Sequence, residues 1–241
     1  MNDLIKFLRE SQYAIVLSGA GVSTLSGIPD FRGKDGIYKR LDVDRVFALE
    51  YFRRDPGMFY RHARDFIYKL NEAEPNLVHH ECARLEQKGI IKEVITQNID
   101  MLHQKAGSRT VHELHGSPAI HLCLECGQDY SFNWAKGLVR QEIIPSCEKC
   151  GGLVKPNVTF YGEMLPEVVL DKAVTAATKA DLILVLGSSL VVHPAASLPL
   201  ITVENGGHLI IINADPTPLD GHASCRYDDL ETCFSHITAV V

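Results

Sequence analysis

The chain has 241 residues, of which 46% are hydrophobic and 22% are charged, proportions that are typical of a globular protein. This composition excludes disordered, collagen-like and low-complexity chains. The formal net charge is −6, from 24 Lys and Arg against 30 Asp and Glu. Basic residues form no run longer than a pair, so we expect no direct nucleic-acid binding.

The N-terminal segment and the cysteines bear on the compartment. The apolar run at 13–17 is too short for the core of a signal peptide, and no stretch approaches the roughly 20 apolar residues of a membrane span. We therefore expect a cytoplasmic protein without membrane association. In a reducing compartment the seven cysteines are expected to be thiols or metal ligands rather than disulfides.

Apolar periodicity predicts an α/β fold, a Rossmann-like parallel sheet covered by helices on both faces. A helix around Leu4–Leu8 precedes a buried strand at 13–17 and a glycine turn. The segment 34–75 has helical spacing and no strand-like run, so we interpret it as a helical insert. The remaining predicted elements are helices at 77–88, 166–180 and 195–204, and strands at 93–96, 111–114, 158–160, 182–186 and 209–212.

Four cysteines stand in a stretch, 121–153, where apolar periodicity fails. Two C-x-x-C pairs are separated by 20 residues and each is followed by glycine, a spacing typical of zinc knuckles. Four thiolates would fill a tetrahedral zinc ion and leave no position for water, so the metal is expected to be structural. A redox dithiol and unrelated thiols are the alternatives. The predicted ligands are Cys123, Cys126, Cys147 and Cys150.

Small and polar residues follow the predicted strands, where an open parallel sheet binds its ligands. Gly19 and Gly21 directly follow the first strand, and a helix N-terminus behind them could offer amides to a phosphate. Thr24 departs from the G-x-G-x-x-G pattern, so a plain strand–helix turn stays open. Together these strand ends favour a bound dinucleotide. The other strand-end residues are Gln97, Asn98, Gly187, Ser188, Ser189 and Asn213.

A histidine next to buried amide or carboxyl groups could act as a general base. Among eleven histidines, His115 is favoured because it ends a predicted strand and because Gly116 could leave room for substrate. The loop at 27–33 is bracketed by glycines and carries Phe31 and Arg32, which suit a lid that excludes water and binds an anion. A surface loop whose phenylalanine packs on the core is the alternative.

Taken together, the motifs at 19–23, 27–33, 96–100, 115–116 and 187–190, with Asn213 and the cysteine pairs, resemble the sirtuins over nearly the whole chain. The resemblance implies a Rossmann-like NAD-binding domain at 1–33, 76–120 and 157–241. It also implies a small lobe that comprises the helical insert at 34–75 and a zinc-ribbon module at 121–156. Acylated lysine would meet NAD between them, and NAD would be consumed as a substrate.

The resemblance further implies an NAD-dependent protein-lysine deacetylase that releases nicotinamide, O-acetyl-ADP-ribose and deacetylated lysine. His115 would be the general base, Asn98 would orient the ribose and a water molecule, and Asp100 would hold the nicotinamide amide together with Ile28. Phe31 would shield the sugar. The implied NAD-binding set is Gly19, Ala20, Gly21, Ser23, Ile28, Asp30, Phe31, Arg32, Gln97, Asn98, Asp100, Gly187, Ser188, Ser189 and Asn213.

Partners are expected to be acetylated-lysine proteins or peptides, bound by a monomer. Val158, Thr159, Phe160 and Tyr161 resemble the strand that pairs with the substrate peptide, and the family often has Val and Phe where Thr159 and Tyr161 stand. Sirtuins that prefer acidic acyl groups carry Tyr and Arg in the helical insert, where this chain has Ala63 and Phe66. A neutral acyl group is therefore expected.

Several alternatives stay open at this point. The chain could remove longer neutral acyl groups or transfer ADP-ribose to proteins, or it could be a zinc-ribbon interaction module that only senses NAD. A hydride-transferring dehydrogenase is opposed by Thr24. Cys82, Cys225 and Cys233 have no predicted role beyond packing in the interior.

Overall fold

The computed structural model describes residues 1–30 and 42–241, which form a large parallel sheet and a small antiparallel sheet. The strands are β1 (Ala14–Ser18), β2 (Ile91–Thr96), β3 (Val111–Glu113), β4 (Gly116–Cys123), β5 (Asp129–Ser131), β6 (Val154–Val158), β7 (Leu182–Leu186), β8 (His208–Ile212) and β9 (Cys225–Tyr227). The α-helices are α1 (Asn2–Glu10), α2 (Val43–Val46), α3 (Leu49–Arg54), α4 (Pro56–Ala63), α5 (Leu77–Gln87), α6 (Leu102–Lys105), α7 (Phe132–Arg140), α8 (Glu167–Lys179), α9 (Leu198–Glu204) and α10 (Leu230–Val240).

The large sheet has six strands in the order β3-β2-β1-β7-β8-β9, and each neighbouring pair is parallel. This arrangement confirms the predicted Rossmann-like class. The chain winds outward from β1 to one edge and from β7 to the other, so the strand order reverses between β1 and β7. Ligands of such sheets bind outside the carboxyl ends of the strands at this point.

Both faces of the large sheet are covered by helices because its strands alternate between two buried faces. Val16 packs on one face with residues of α1, α5 and α10. Ile15 and Leu17 point to the other face, where alanines of α8 and apolar residues of α9 cover them. Cys82 and Cys233 are buried in the first of these cores and Cys225 packs against it, in agreement with the packing role predicted for them.

The small lobe joins the helical insert to the antiparallel sheet β5-β4-β6. Its core is aromatic: Phe52, Phe59 and Phe160 meet edge to face or tilted, with ring centroids 5.0 to 5.6 Å apart. Phe132 of α7 joins the same core. The zinc-ribbon segment therefore shares a core with the helical insert, although its sequence lacks apolar periodicity.

One predicted strand was misplaced along the chain, and one predicted helix consists of two consecutive helical segments. The strand predicted at 158–160 is wrong, because β6 ends at Val158, where that prediction begins. Lys155 and Pro156 concealed this strand: the lysine is buried despite its charge, and the proline stands on the edge of the small sheet. The helix predicted at 195–204 is a 3₁₀ turn at Ala195–Ser197 followed by α9.

The C-terminal elements β9 and α10 follow the last predicted strand and were not predicted. Strand β9 is short and only partly buried, so it lacks an apolar run. In the described part of the chain, none of the helices combines the length and apolarity that a membrane span requires.

Candidate functional site

A cavity of about 770 Å³ opens at the carboxyl ends of β1, β2, β7 and β8, where the strand order reverses. Its volume is in the range of small-molecule and cofactor sites. Residues 158–165, which follow the small sheet, form the facing wall. Predicted site residues that line the cavity are Gly19, Ala20, Gly21, Asp30, Gln97, Asn98, His115, Val158, Thr159, Phe160, Tyr161, Gly187, Ser188, Ser189 and Asn213.

The glycines after β1 and β7 pack against one another. A Cβ on Gly19 would lie 2.7 Å from the Gly187 carbonyl oxygen, and one on Gly187 would lie 2.5 Å from the Val22 nitrogen. The Gly21 amide already donates to the Gly187 carbonyl at 2.9 Å. These glycines therefore let two strand-end loops approach closely, and the phosphate contact predicted near Gly19 and Gly21 stays a prediction. The helix predicted behind them is a 3₁₀ helix, Ala20–Ser26.

Asn98 is held at the cavity wall by three hydrogen bonds. Its side-chain amide donates to the Gly19 carbonyl and to the Ser23 hydroxyl, both at 3.1 Å. Its backbone N–H donates to the Thr96 hydroxyl at 3.0 Å. The side-chain oxygen therefore has a fixed direction and can accept a hydrogen bond from a ligand.

Asp100 lies behind this wall and is 6% exposed. One carboxylate oxygen accepts from the Ser23 hydroxyl at 2.6 Å and the other from the Leu102 N–H at 2.9 Å, at the start of α6. Burial raises the pKa of Asp100, and these hydrogen bonds oppose the rise. The carboxylate thus fixes Ser23, which in turn contacts the Asn98 amide.

His115 follows β3 and its ring Nδ1 lies 2.8 Å from the Gln97 carbonyl oxygen. Because a carbonyl can only accept, this contact assigns the proton to Nδ1 and leaves the Nε2 lone pair available as a base. Burial lowers the pKa of His115, and the Gln97 carbonyl opposes this. The lowered pKa favours the neutral form of the ring, which is the form that a general base requires.

Gly116 has a role different from the predicted one. Its φ is +71°, and a Cβ there would lie 2.1 Å from the Asn157 carbonyl oxygen of β6. The glycine therefore permits close pairing between β4 and β6, and the room that it leaves is taken by backbone rather than substrate.

Two further polar residues that follow strands are held by hydrogen bonds, one between two strand ends and one within a single loop. The Gln97 amide donates to the Ser188 hydroxyl at 2.8 Å, across the ends of β2 and β7. Asn213 follows β8 and donates to the Asp215 carbonyl at 2.7 Å. The same part of the cavity is lined by acidic side chains that the sequence analysis did not single out, namely Asp215, Asp228, Asp229 and Glu231.

Backbone groups of the predicted peptide-pairing segment are already hydrogen-bonded within the chain. The Thr159 N–H donates to the His115 carbonyl at 2.8 Å. Tyr161 donates to the Phe47 carbonyl at 2.7 Å and accepts from the Leu49 N–H at 3.1 Å. This segment therefore joins His115 to the helical insert, and backbone pairing with a peptide by these particular groups would compete with those bonds.

The four predicted zinc ligands converge, with their sulfur atoms all within 4.8 Å of one another. Two of the Sγ–Sγ distances are 3.5 Å (Cys123–Cys150) and 3.6 Å (Cys126–Cys147). Tetrahedral bonds of about 2.3 Å to zinc imply sulfur separations of roughly 3.8 Å, so the residues fit the ion. The Tyr130 hydroxyl donates to the Cys147 sulfur at 3.2 Å and lowers the pKa of that thiol to about 6.

Some predicted residues are not brought to the cavity. Within residues 1–30 and 42–241, Ser23, Ile28 and Asp100 do not line it: Ile28 packs on the small-lobe core, and the other two lie behind Asn98. Phe31 and Arg32, the predicted shield and anion ligand, lie outside the described residues.

A buried polar network beneath Asn98 was not predicted. The Ser18 hydroxyl contacts the Thr96 hydroxyl and His103 Nε2, both at 2.9 Å, and Thr96 accepts from the Asn98 N–H. His79 packs against His103 with ring centroids 4.8 Å apart. Ser18 and Thr96, polar residues at the ends of buried strands, were the sequence signal that could have indicated this network. The pairing of strands in the sheet decides which distant residues they contact, and the sequence does not reveal that pairing.

Comparisons with known proteins agree with one another. The family model described as the Sir2 family matches residues 19–194. An NAD-dependent protein deacetylase of Thermotoga maritima is 46% identical over 228 residues, which are 95% of this chain and 92% of the relative. An NAD-dependent protein deacylase 2 of Archaeoglobus fulgidus is 46% identical over 216 residues, 89% of this chain and 85% of the relative.

Solved structures show the same relationship. A Sir2 structure with a deacetylated peptide and 3′-O-acetyl ADP-ribose superposes with a TM-score of 0.94 at 44% identity, covering 98% of this chain and 96% of that one. A Sir2–peptide–NAD⁺ structure superposes with a TM-score of 0.93 at 42% identity, covering 99% of this chain and 97% of that one.

Proposed function

This chain belongs to the Sir2 family, the sirtuins, and from that premise we propose that it is an NAD-dependent protein-lysine deacetylase. It consumes NAD and an acetylated-lysine peptide and releases nicotinamide, O-acetyl-ADP-ribose and deacetylated lysine. The observation that carries the proposal is the cavity in which a neutral His115 and an oriented Asn98 face the substrate segment 158–161. Relatives with a deacetylase name and structures with acetylated peptide support it.

NAD, when bound, supplies the ribose carbon that receives the acyl oxygen as nicotinamide leaves. His115 Nε2 would take a proton from a ribose hydroxyl, since its Nδ1 proton is directed to Gln97. Asn98 would orient the ribose through its side-chain oxygen, and Asp100 would act indirectly by fixing Ser23. The neighbouring groups that would bind the rest of NAD are the glycine loops, Ser188, Ser189 and Asn213.

Zinc would be held by the four cysteines and would fold the zinc-ribbon segment without entering the reaction. All four ligand positions are sulfur, so no coordination site is left for water or substrate. NAD and zinc are thus the co-substrate and the structural ion that this chain requires.

A neutral acyl group is the substrate that the small lobe favours. Ala63 is buried in the aromatic core and Phe66 packs against it, so neither supplies a partner for a carboxylate. Removal of longer neutral acyl groups therefore remains an outcome of the substrate test. Transfer of ADP-ribose to protein would be recognised by a modified acceptor.

We further propose a monomer that does not bind nucleic acid and that works in the cytoplasm. The net charge of −6 supports the absence of nucleic-acid binding. The need for four reduced cysteine thiols to bind zinc supports a reducing compartment such as the cytoplasm. Light scattering, a nucleic-acid binding assay and cell fractionation test these three statements.

The deciding experiment measures nicotinamide release from NAD by zinc-loaded protein with and without an acetyl-lysine peptide. We expect release that depends on the peptide, without an NADH absorbance change. Saturable NAD binding with no release, for acetyl and longer acyl peptides alike, would instead indicate an NAD-sensing module. An NADH signal would indicate a dehydrogenase.

A further inference from the structure

Lys155 is a buried cation on β6, next to the wall of the cleft. The residue is 5% exposed, and its Nζ donates to the carbonyl oxygens of Val158 at 2.6 Å and Pro156 at 3.1 Å. The Glu163 carboxylate lies 3.0 Å from the same Nζ. The Lys155 amine therefore connects Val158, at the end of β6, to Glu163, five residues further along the chain.

Glu163 makes hydrogen bonds back to Phe160, within the segment that follows β6. The carboxylate oxygen that pairs with Lys155 also accepts from the Phe160 N–H at 2.7 Å. The Glu163 N–H donates back to the Phe160 carbonyl at 3.0 Å. The Lys155 Nζ lies 4.1 Å from the centre of the Phe160 ring, a cation–π contact. Backbone, carboxylate and ring are thus all held by one cation.

The held segment is the cavity wall itself. Residues 158–163 line the cavity, whereas Lys155 does not reach it and lies behind the wall. Burial lowers the pKa of Lys155 and the Glu163 charge opposes this, so the amine depends on its partners to stay charged. A buried ion pair adds little stability compared with apolar packing of the same size, which leaves geometry as its main contribution.

We propose that Lys155 is a positioning residue for the acyl-lysine substrate, acting with Glu163 to fix the wall at 158–163 and thereby the affinity for the peptide. This inference rests on the proposed function. Lys155 does not line the cavity, so it would act without touching either the peptide or NAD. The dinucleotide side is positioned by different contacts, among them Asn98 to Gly19 and Gln97 to Ser188, so its affinity should not depend on Lys155.

The test compares Lys155→Met, Lys155→Arg, Glu163→Gln and the double variant Lys155→Met/Glu163→Gln. Lys179→Met, at the exposed end of α8, is the matched control. Fluorescence anisotropy measures the Kd of a labelled acetyl-lysine peptide in the presence of ADP-ribose. Calorimetry measures the Kd of ADP-ribose alone, and zinc content reports the fold of the small lobe.

We expect Lys155→Met to weaken peptide binding by about tenfold or more, because the carboxylate loses its buried partner. ADP-ribose affinity and zinc content should stay at wild-type values, and Lys155→Arg should restore most of the peptide affinity. The double variant should bind peptide no more weakly than the weaker single variant, since the two residues act through one contact.

Four outcomes would overturn the inference. Unchanged peptide affinity in Lys155→Met would remove the positioning role. Parallel loss of peptide, ADP-ribose and zinc would show a general folding role instead. A folded Lys155→Arg variant that fails to restore peptide binding would show that a positive charge at position 155 is not what fixes the wall. A wild-type protein that binds ADP-ribose but no acylated peptide would overturn the proposed function and this inference together, which distinguishes that case from the other three.

Discussion

The two sides of the cleft are held in different ways. On the dinucleotide side, the register of a six-stranded sheet places the strand ends, and glycine contacts between the loops after β1 and β7 fix their spacing. On the peptide side, a three-stranded sheet depends on four cysteines and on one buried ion pair, Lys155–Glu163. The geometry of the dinucleotide side is therefore set by many contacts, and that of the wall on the peptide side by a few.

Removal of zinc should produce the largest difference between the two sides. Cys147→Ser leaves three thiolates, and structural zinc supplies on the order of 10–16 kcal/mol of apparent folding free energy in small zinc peptides. We expect loss of zinc, protease cleavage within 121–156 and no peptide binding, with the large sheet still folded by circular dichroism. Cys225→Ser, outside the quartet, is the control and should retain zinc. Intact peptide binding after zinc removal would contradict the comparison.

His115→Ala should abolish most turnover without disturbing either side. A general base typically contributes 10²- to 10⁴-fold, so we expect kcat to fall by at least about 10²-fold while ADP-ribose and peptide affinities stay within a few fold. His112→Ala is the neighbouring control: it removes a contact with Glu93 and should affect stability more than turnover. Near-normal turnover in His115→Ala would exclude this histidine as the base.

Gly187→Ala tests the contacts between the strand-end loops. The φ of Gly187 is +58° and its Cβ would lie 2.5 Å from the Val22 nitrogen, so both backbone strain and overlap oppose the change. We expect a loss of about 2–4 kcal/mol in unfolding free energy, together with weaker ADP-ribose binding. Gly206 has a φ of +86°, but a Cβ added there would meet open space. The Gly206→Ala variant should therefore lose only about 1 kcal/mol of unfolding free energy. Urea denaturation measures the unfolding free energy of both variants. Equal losses in Gly187→Ala and Gly206→Ala would show that the structure relieves the overlap at position 187.

Acid should destabilise the large domain through His79 and His103. Burial, together with the neighbouring His103 and His80, lowers the pKa of His79 from 6.5 to about 3, and burial lowers the pKa of His103 to about 4. The unfolded chain therefore binds more protons below pH 6.5, so stability is present above that pH and falls as pH drops toward 4. At pH 5 the loss is about 2 kcal/mol for each histidine. Urea denaturation at pH 7.5 and pH 5 measures this loss of unfolding free energy. The His103→Gln variant should show a smaller difference in unfolding free energy between the two pH values.

The parts of the molecule that the sequence predicted well depend on local pattern. The strand at Leu182–Leu186 is a continuous apolar run between helices, and the cysteine quartet has a fixed spacing, so neither needs knowledge of distant residues. The parts that escaped prediction depend on distant partners. Strand β6 contains a lysine that becomes acceptable in the interior only when Glu163 and two carbonyls surround it.

The sequence predicted which residues belong to the site better than it predicted how they are arranged. His115 and Asn98 line the cavity as expected, since both follow strands that end at the same edge of the sheet. Asp100 lies behind it because its two hydrogen bonds turn the carboxylate toward Ser23 and α6. Gly116 is explained by the backbone of β6, which the sequence of 112–116 does not reveal.

The central claim is that this cleft moves an acetyl group from lysine to ADP-ribose. Mass spectrometry after incubation of zinc-loaded protein with NAD and a peptide carrying isotope-labelled acetyl-lysine tests it most directly. The account predicts unmodified lysine in the peptide and the labelled acetyl group on ADP-ribose, in equal amounts with nicotinamide. Labelled acetate released without acetyl-ADP-ribose, or ADP-ribose attached to the peptide, would contradict it.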